Sequence, residues 1–265
     1  MKEIIHESCS PSKTKRTFSC YFDNDLHKLK HVYNKTKKHN PIKSKTPQQI
    51  WMDLNDRLTH CKKESCFSET LNVDLKRFAP KHPSSWKKNK NEWLSSSEID
   101  DVLKQYEKAY SEFKYIGPSP SDYFFKENNE CVWKELCDLN VTKLPPHITK
   151  IGIVFNLDKH DGPGTHWVAV FIHVPKKVMY YFDSAGERIH KNIKKLHHQI
   201  KQQDSAYKLV QNYPKEHQMG TSECGMYVLF FIIMMINQPN FEIFKSGRAF
   251  TDKNMSKFRT KFFNE

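Results

Sequence analysis

The sequence predicts an α+β protein, and three observations carry the prediction. Runs rich in branched and aromatic residues cluster between residues 149 and 184, amphipathic helical segments lie on both sides of them, and the first third of the chain has a different, basic and mostly helical composition. Strands in the middle with helices around them are the pattern of a sheet packed against helices rather than of a bundle or a sandwich.

The first third, residues 1–91, is rich in Lys, Ser, Asn and Pro. Within it TPQQIWMDLNDRLTHC reads as one helix, with Thr46 as N-cap, Pro47 at the first helical position, and Ile50, Leu54 and Leu58 on a shared face. We read this region as a small helical arm. The second region, residues 92–265, opens on a helix start signal in which Ser95 precedes Glu98 by three positions, a capping box, followed by Ile99, Leu103, Tyr106 and Tyr110 at helical spacing. A Pro/Ser turn at GPSPSD and a short helix over 127–138 are expected next.

From Thr149 the texture becomes β-rich. ITKIGIVFNL, HWVAVFIHV and KVMYYFDS read as strands, and VPKK at 174–177 supplies a tight connection between the second and third. Ile189, Ile193, Leu196 and Ile200 then repeat at helical spacing, residues 207–213 read as another strand, Cys224 opens an apolar helix, and TDKNMSKFRTKFF forms a final capped amphipathic helix.

Charge is uneven. Residues 1–91 hold 20 Lys and Arg against 9 Asp and Glu, which leaves only +2 of the net +13 for residues 92–265. The basic arm therefore suits nucleic acid, an acidic membrane face or an acidic partner, and equally suits a solvated surface. The amino terminus lacks the apolar stretch of a secretory signal, and the apolar run 226–236 is too short to span a bilayer. Seven cysteines without framework-like spacing point to reduced thiols inside a cell. His60, Cys61 and Cys66, or Cys131 and Cys137, lack the paired knuckles of a structural zinc site, so no metal or other cofactor is expected.

The stretch HQMGTSECGMYVLFFI, residues 217–232, places one thiol where a polar turn becomes a buried helix. At a helix N-terminus the macrodipole and unpaired N–H groups favour the thiolate, which is the reactive form. The base best placed to serve it is His166, at the mouth of the strand that begins with Trp167. Asp183 ends the next strand, 17 positions on, so antiparallel pairing brings it beside His166 as the group that orients the imidazole. Each residue alone has an ordinary structural explanation: buried Cys, surface His, helix-capping Asp, core Trp. Together they place thiol, base and acid at element ends.

These residues resemble the cysteine proteases that process ubiquitin-like proteins such as SUMO, a family that includes the adenovirus protease and proteases of large DNA viruses. The likeness rests on GTHW (His166, Trp167), YYFDS (Asp183), Gln218 and SECG (Cys224), in that order, and covers roughly residues 92–265. GIVFNLDKHDGPGTHWVAVF, FDSAG and the terminal MSKFRTKFF are most similar to the polyprotein-processing branch of African swine fever virus and giant viruses. The resemblance implies a papain-like or adenovirus-protease-like catalytic domain, a central mixed sheet flanked by helices. It also implies an oxyanion-stabilising role for Gln218, six residues before Cys224, and a narrow channel roofed by Trp167, with Asn156 and Asp158 shaping the substrate loop.

A channel without room for side chains implies cleavage after Gly-Gly-type sites. The expected activity is that of a thiol endopeptidase acting on viral structural polyproteins during virion maturation, located at assembly sites in the host cytoplasm and packaged in the virion rather than secreted. Two other readings stay open: a deconjugating protease for a ubiquitin-like modifier, and an inactive, basic, nucleic-acid-binding scaffold.

Overall fold

The computed structural model describes residues 4–16, 18–246 and 250–265. The chain forms two compact units, Met1–Lys81 with Thr260–Glu265, and His82–Arg259. Composition places the division after residue 91; the structure places it after residue 81 and gives the last six residues to the first unit. That assignment has a visible cause, because the Asn264 side chain bonds the backbone of Ser8 and Ala79, and Lys63 Nζ donates to the carbonyl of Glu265.

The first unit is built on helices α1 (Asp23–Thr36), α2 (Pro47–Arg57) and α3 (Ser65–Thr70). Thr46 caps α2 by accepting from Gln49 N–H, as its sequence predicts. Leu26, Leu29, Ile50, Leu54 and Phe67 bury completely in its core. The segment of α1 carried no strong sequence signal: its N-terminal Asp25 carboxylate accepts from the Phe22 N–H and pairs with Arg77 at 2.7 Å, a partner 52 positions away. Glu64 is buried and accepts from Ser19 Oγ, Cys20 N–H and Trp51 Nε1, three donors that local sequence does not gather.

The second unit opens with a short 3-10 turn over 84–87 and helix α4 (Ser96–Ala109), whose capping box forms as expected, with Ser95 N–H donating to Glu98 at 2.7 Å. Strands β1 (Phe113–Pro120), β4 (Lys150–Asn156), β5 (Trp167–His173), β6 (Val178–Phe182) and β7 (Lys208–Gln211) form one mixed sheet in the order β1-β4-β5-β6-β7. Its two outer pairs are parallel and its two inner pairs antiparallel. Between them in sequence lie the small hairpin β2 (Lys126–Glu127) and β3 (Glu130–Cys131), the short α5 (Lys134–Cys137) and α6 (Lys191–Gln203). Helices α7 (Cys224–Asn237), α8 (Glu242–Lys245) and α9 (Asp252–Phe262) follow.

Two expectations are corrected here. YIGPSP is the end of a strand, not a turn, and 127–138 is mostly the hairpin and its return, with helix confined to four residues. Proline argues against a central strand because it has no N–H for the ladder, but β1 is the edge of the sheet and its register shifts between Ile116 and Ser119, where that loss is tolerated.

The central strand explains its own sequence. Val168, Val170 and Ile172 face a core completed by Ile193, Leu196 and Ile200 of α6, while Ala169 and Phe171 take the opposite face, where α7 packs. Both faces are covered, so WVAVFI reads as a continuous apolar run instead of alternating. Phe182 stacks on Phe231 of α7 at 4.8 Å, and Gly152 leaves the room that Phe113 and Ile232 occupy. Each large side chain so buried contributes about 1.5–3 kcal/mol. Among the described residues no helix is long and apolar enough to cross a membrane.

The cysteines overturn the expectation of free thiols. Cys9–Cys20, Cys61–Cys66 and Cys131–Cys137 are disulfides, and Cys224 alone is free. The pairs are close in sequence because each pins a loop, a pattern that spacing alone does not distinguish from scattered thiols. His60 sits beside Cys61 and Cys66, but those two sulfurs are bonded to each other, so the group offers no pair of thiolates for a metal. Alkylation of the unreduced, denatured protein is expected to add one label, and alkylation after reduction seven; the loss of all three bridges destabilises the fold by about 2–3 kcal/mol each, read as a fall in Tm. Seven labels without reductant would refute the pairing.

Candidate active site

Cys224 is the first residue of α7 and is 2% exposed. The N–H groups of its first turn have no intrahelical partner, and the helix dipole there favours negative sulfur. Gly225 is required next: a Cβ at that position would lie 2.8 Å from Leu94 Cβ. The helix start thus packs directly on Leu94, whose carbonyl accepts from Trp167 Nε1 at 2.9 Å. One short chain of contacts therefore ties the thiol to the indole.

His166 lies at the mouth of β5, as expected, and its Nε2 donates to Asp183 Oδ1 at 2.7 Å. The strands do not pair these two residues directly. Ala169 opposes Phe182, so the register continued would set Asp183 across from Val168, and the imidazole reaches it diagonally. Cys224 lies close enough to act on the same imidazole. Burial disfavours the imidazolium, but the hydrogen bonds and negative charge of Asp183 and Cys224 outweigh it, and the pKa rises from 6.5 to about 10.

Asp183 is itself fixed. Its Oδ1 accepts from Ala185 N–H at 2.9 Å, and the Asn212 side chain both accepts from Asp183 N–H and donates to its carbonyl. Gln218 is buried; its Oε1 accepts from Ser184 Oγ at 2.8 Å and its Nε2 donates one hydrogen to Gly220 O, which leaves the second N–H. The backbone around Gln218 is held by Asp252 of α9, which accepts from Met219 and Gly220 N–H. Ser184, Asn212 and Asp252 were not foreseen from sequence. Asn212 and Asp252 lie 29 and about 33 positions from the groups they hold, with no local pattern to mark them.

Asn156 and Asp158 turn out to staple the loop before His166. Asn156 Oδ1 accepts from Asp158 and Thr165 N–H, and Asp158 accepts from Lys159 and Gly164 N–H. Gly164, at φ +92, makes the turn in a region that other residues avoid. Trp167 is buried and lines a cavity of about 580 Å³ together with Trp93 and Leu94.

Next to the thiol, Glu223 forms a buried ion pair with Arg259 of α9, with Nη2 and Oε2 3.1 Å apart. Burial pushes the Glu223 carboxyl up and the arginine pulls it back. The same Nη2 donates to Glu92 O at 2.9 Å, and the guanidinium lies 4.5 Å over Trp86. Arginine 259 therefore joins the residue before Cys224 to the segment that carries Leu94.

A thiol at a helix N-terminus, an imidazole held by a buried carboxylate and a fixed amide, on a mixed sheet flanked by helices, are the arrangement of a cysteine protease. The chain belongs to the Ulp1 protease family: the model of that family's C-terminal catalytic domain matches residues 96–265. The S273R cysteine protease of African swine fever virus is 28% identical over 260 residues, covering 86% of this chain and 92% of the relative. A second isolate's version, 27% identical over 262 residues, bears the name SUMO-1 cysteine protease S273R. R355 of Acanthamoeba polyphaga mimivirus is 34% identical over 160 residues, 57% of this chain, a match that spans half of that relative's length. The crystal structure of the ASFV pS273R protease shares the fold, with a TM-score of 0.65 at 22% identity over 98% of this chain and 96% of that one.

Proposed function

We propose that the protein is an endopeptidase that cleaves after Gly-Gly-type sites in viral structural polyproteins, with Cys224 as nucleophile. The observation that carries this reading is the 2.7 Å contact of the His166 imidazole with the buried Asp183, with the only free thiol among the described residues at the start of the helix whose Gly225 packs on Leu94, the residue that anchors Trp167. The Cys224 sulfur attacks the scissile carbonyl. The second Nε2 hydrogen of Gln218 and the Cys224 N–H stabilise the oxyanion. His166 gives its proton to the leaving amine, and the thioester is then hydrolysed by water with His166 as base. Asp183 fixes the imidazole's orientation and supports its charge throughout. Trp167, by the family resemblance, roofs a channel too narrow for side chains, so that a Cβ just before the cut would clash.

The reactive pair sets a pH signature. His166 keeps its proton up to about 10, so the alkaline limb of kcat/KM belongs to its deprotonation. The stabilisation from this charge is complete below the ordinary imidazole value of 6.5 and is lost as the pH rises through about 10. In Asp183→Asn the alkaline limb moves down by about one pH unit or more, measured as pH profiles of peptide cleavage. An unmoved limb would remove Asp183 from this role.

A second reading, deconjugation of a ubiquitin-like modifier, is favoured by the name of one viral relative. It requires docking of a folded modifier. Comparing kcat/KM for a folded SUMO-type conjugate with that for an unfolded Gly-Gly peptide separates the two: a preference for the peptide supports polyprotein processing. The basic first unit fits a tethering role toward packaged nucleic acid, since residues 26–52 hold seven lysines and no Asp or Glu. Phosphate contact would make that affinity fall steeply with salt. Synthesis at assembly sites in the host cytoplasm and packaging in the particle complete the proposal.

A further inference from the structure

The corner between α2 and α3 gathers more chemistry than a disulfide needs. The bridged Cys61 and Cys66 sulfurs share it with the His60 imidazole, and the three ligand atoms lie within 4.8 Å of one another. His60 Nε2 is 3.6 Å from Cys61 Sγ. Thr70 Oγ1 reaches all three, at 2.9 Å from His60 Nε2 and 3.5 Å from each sulfur. Cys61 is fully buried, Cys66 half-buried and His60 exposed, so the cluster opens to solvent on its imidazole side. None of these groups belongs to the catalytic machinery.

We propose that His60, Cys61 and Cys66 form a zinc site when their disulfide is reduced, so that the corner is clasped by a sulfur–sulfur bond in one redox state and by a metal ion in the other. The proposal does not rest on the protease reading. A tetrahedral zinc, with Zn–S of about 2.3 Å and Zn–N of about 2.0–2.1 Å, holds a sulfur and a nitrogen ligand about 3.6 Å apart. That is the separation already present between Cys61 Sγ and His60 Nε2. The two sulfurs, once unbonded, part to about 3.8 Å around such an ion, a shift that rotation about χ1 of the two cysteines provides. Two thiolates and an imidazole select zinc over magnesium or calcium. Lys62 and Lys63, in the loop between the cysteines, favour the thiolate form there. Water takes the fourth position, held by the Thr70 hydroxyl.

The chemistry balances. A dithiol supplies two electrons and two protons to the Cys61–Cys66 bond, which breaks to two thiols, and the dithiol becomes a disulfide. Zinc then displaces one proton from each thiol and binds the two thiolates and the unprotonated His60 Nε2. A small disulfide reverses both steps and releases the ion. The C-x4-C spacing lacks a second knuckle, so the sequence does not mark the site. The turn after α2 makes His60 a ligand: Cys61 N–H donates to Leu58 O at 3.0 Å, and the tight turn sets the imidazole beside the sulfurs.

The test titrates zinc ion alone into full-length Cys224→Ala protein, a background that keeps the catalytic thiol out of the count, in competition with a chromogenic chelator. The oxidised protein is expected to take up no zinc in this competition, and the protein reduced with a phosphine one equivalent. His60→Gln leaves the bridge and both thiols in place, and once reduced it is expected to bind at least about tenfold more weakly. Cobalt(II) in place of zinc is expected to show a thiolate-to-metal charge-transfer band that weakens in Cys66→Ser, where one thiolate is gone. Zinc is also expected to raise the Tm of the reduced protein and leave that of the oxidised protein unchanged.

No uptake by the reduced protein would overturn the proposal. So would equal uptake by the oxidised protein, or an affinity unchanged in both His60→Gln and Cys66→Ser, since either result assigns the ion to other side chains.

Discussion

Cys224→Ala is expected to abolish cleavage, with kcat/KM of a Gly-Gly peptide falling about 10⁴-fold or more, while the circular-dichroism spectrum stays that of the wild type. The fall is large because nucleophile, base and oxyanion donors act as a unit, so the loss of one silences the others. The fold survives because only a sulfur is lost, at the end of a helix otherwise buried along its length. Intact mass gives the sharper readout. A short probe ending in Gly-Gly and carrying a thiol-reactive group should add once to the wild type and not to Cys224→Ala. With Val in place of Gly it should not add if Trp167 roofs the narrow channel of the proposed function. Labelling that persists without Cys224, or that accepts the Val probe, would refute both the nucleophile and the narrow channel.

The second large effect concerns Arg259. Truncating it to Ala leaves Glu223 buried without its partner, at a cost of about 3–5 kcal/mol, beside the nucleophile. It also releases Glu92 O and so loosens the segment whose Leu94 packs on Gly225 and anchors Trp167. Denaturant unfolding should therefore show a lower midpoint, and activity should fall even under conditions where the variant remains folded. The double variant Glu223→Leu with Arg259→Met removes both charges and is expected to recover most of the stability, because a buried pair is replaced by packed apolar volume. If it recovers stability without activity, the pair positions the site; if the single variant is unaffected in both measurements, Arg259 has no such role.

Much of the fold was legible in the chain. The capping box at Ser95 and Glu98, the cap at Thr46, the strands around residues 150–182 and the helix opening at Cys224 are all local signals, set by side-chain spacing and by backbone groups a few residues away. His166, Asp183 and Cys224 were legible too, because each falls at an element end, whereas Gln218, in the loop before α7, was marked only by the family resemblance. Strand β1 was not, since Gly-Pro-Ser-Pro reads as a turn until its place at the sheet's edge is known.

The sequence by itself determined the α+β architecture and the basic first third, which depend on composition and short-range periodicity, and its motifs pointed to the family by resemblance. Only the tertiary structure decided that six cysteines pair, that Asp183 reaches His166 diagonally, that Ser184 and Asp252 hold Gln218 and its loop, and that Arg259 braces the residue before the thiol. The physical reason is distance along the chain: Glu223 and Arg259 lie 36 positions apart, and their pairing is favourable only after folding has removed both from water.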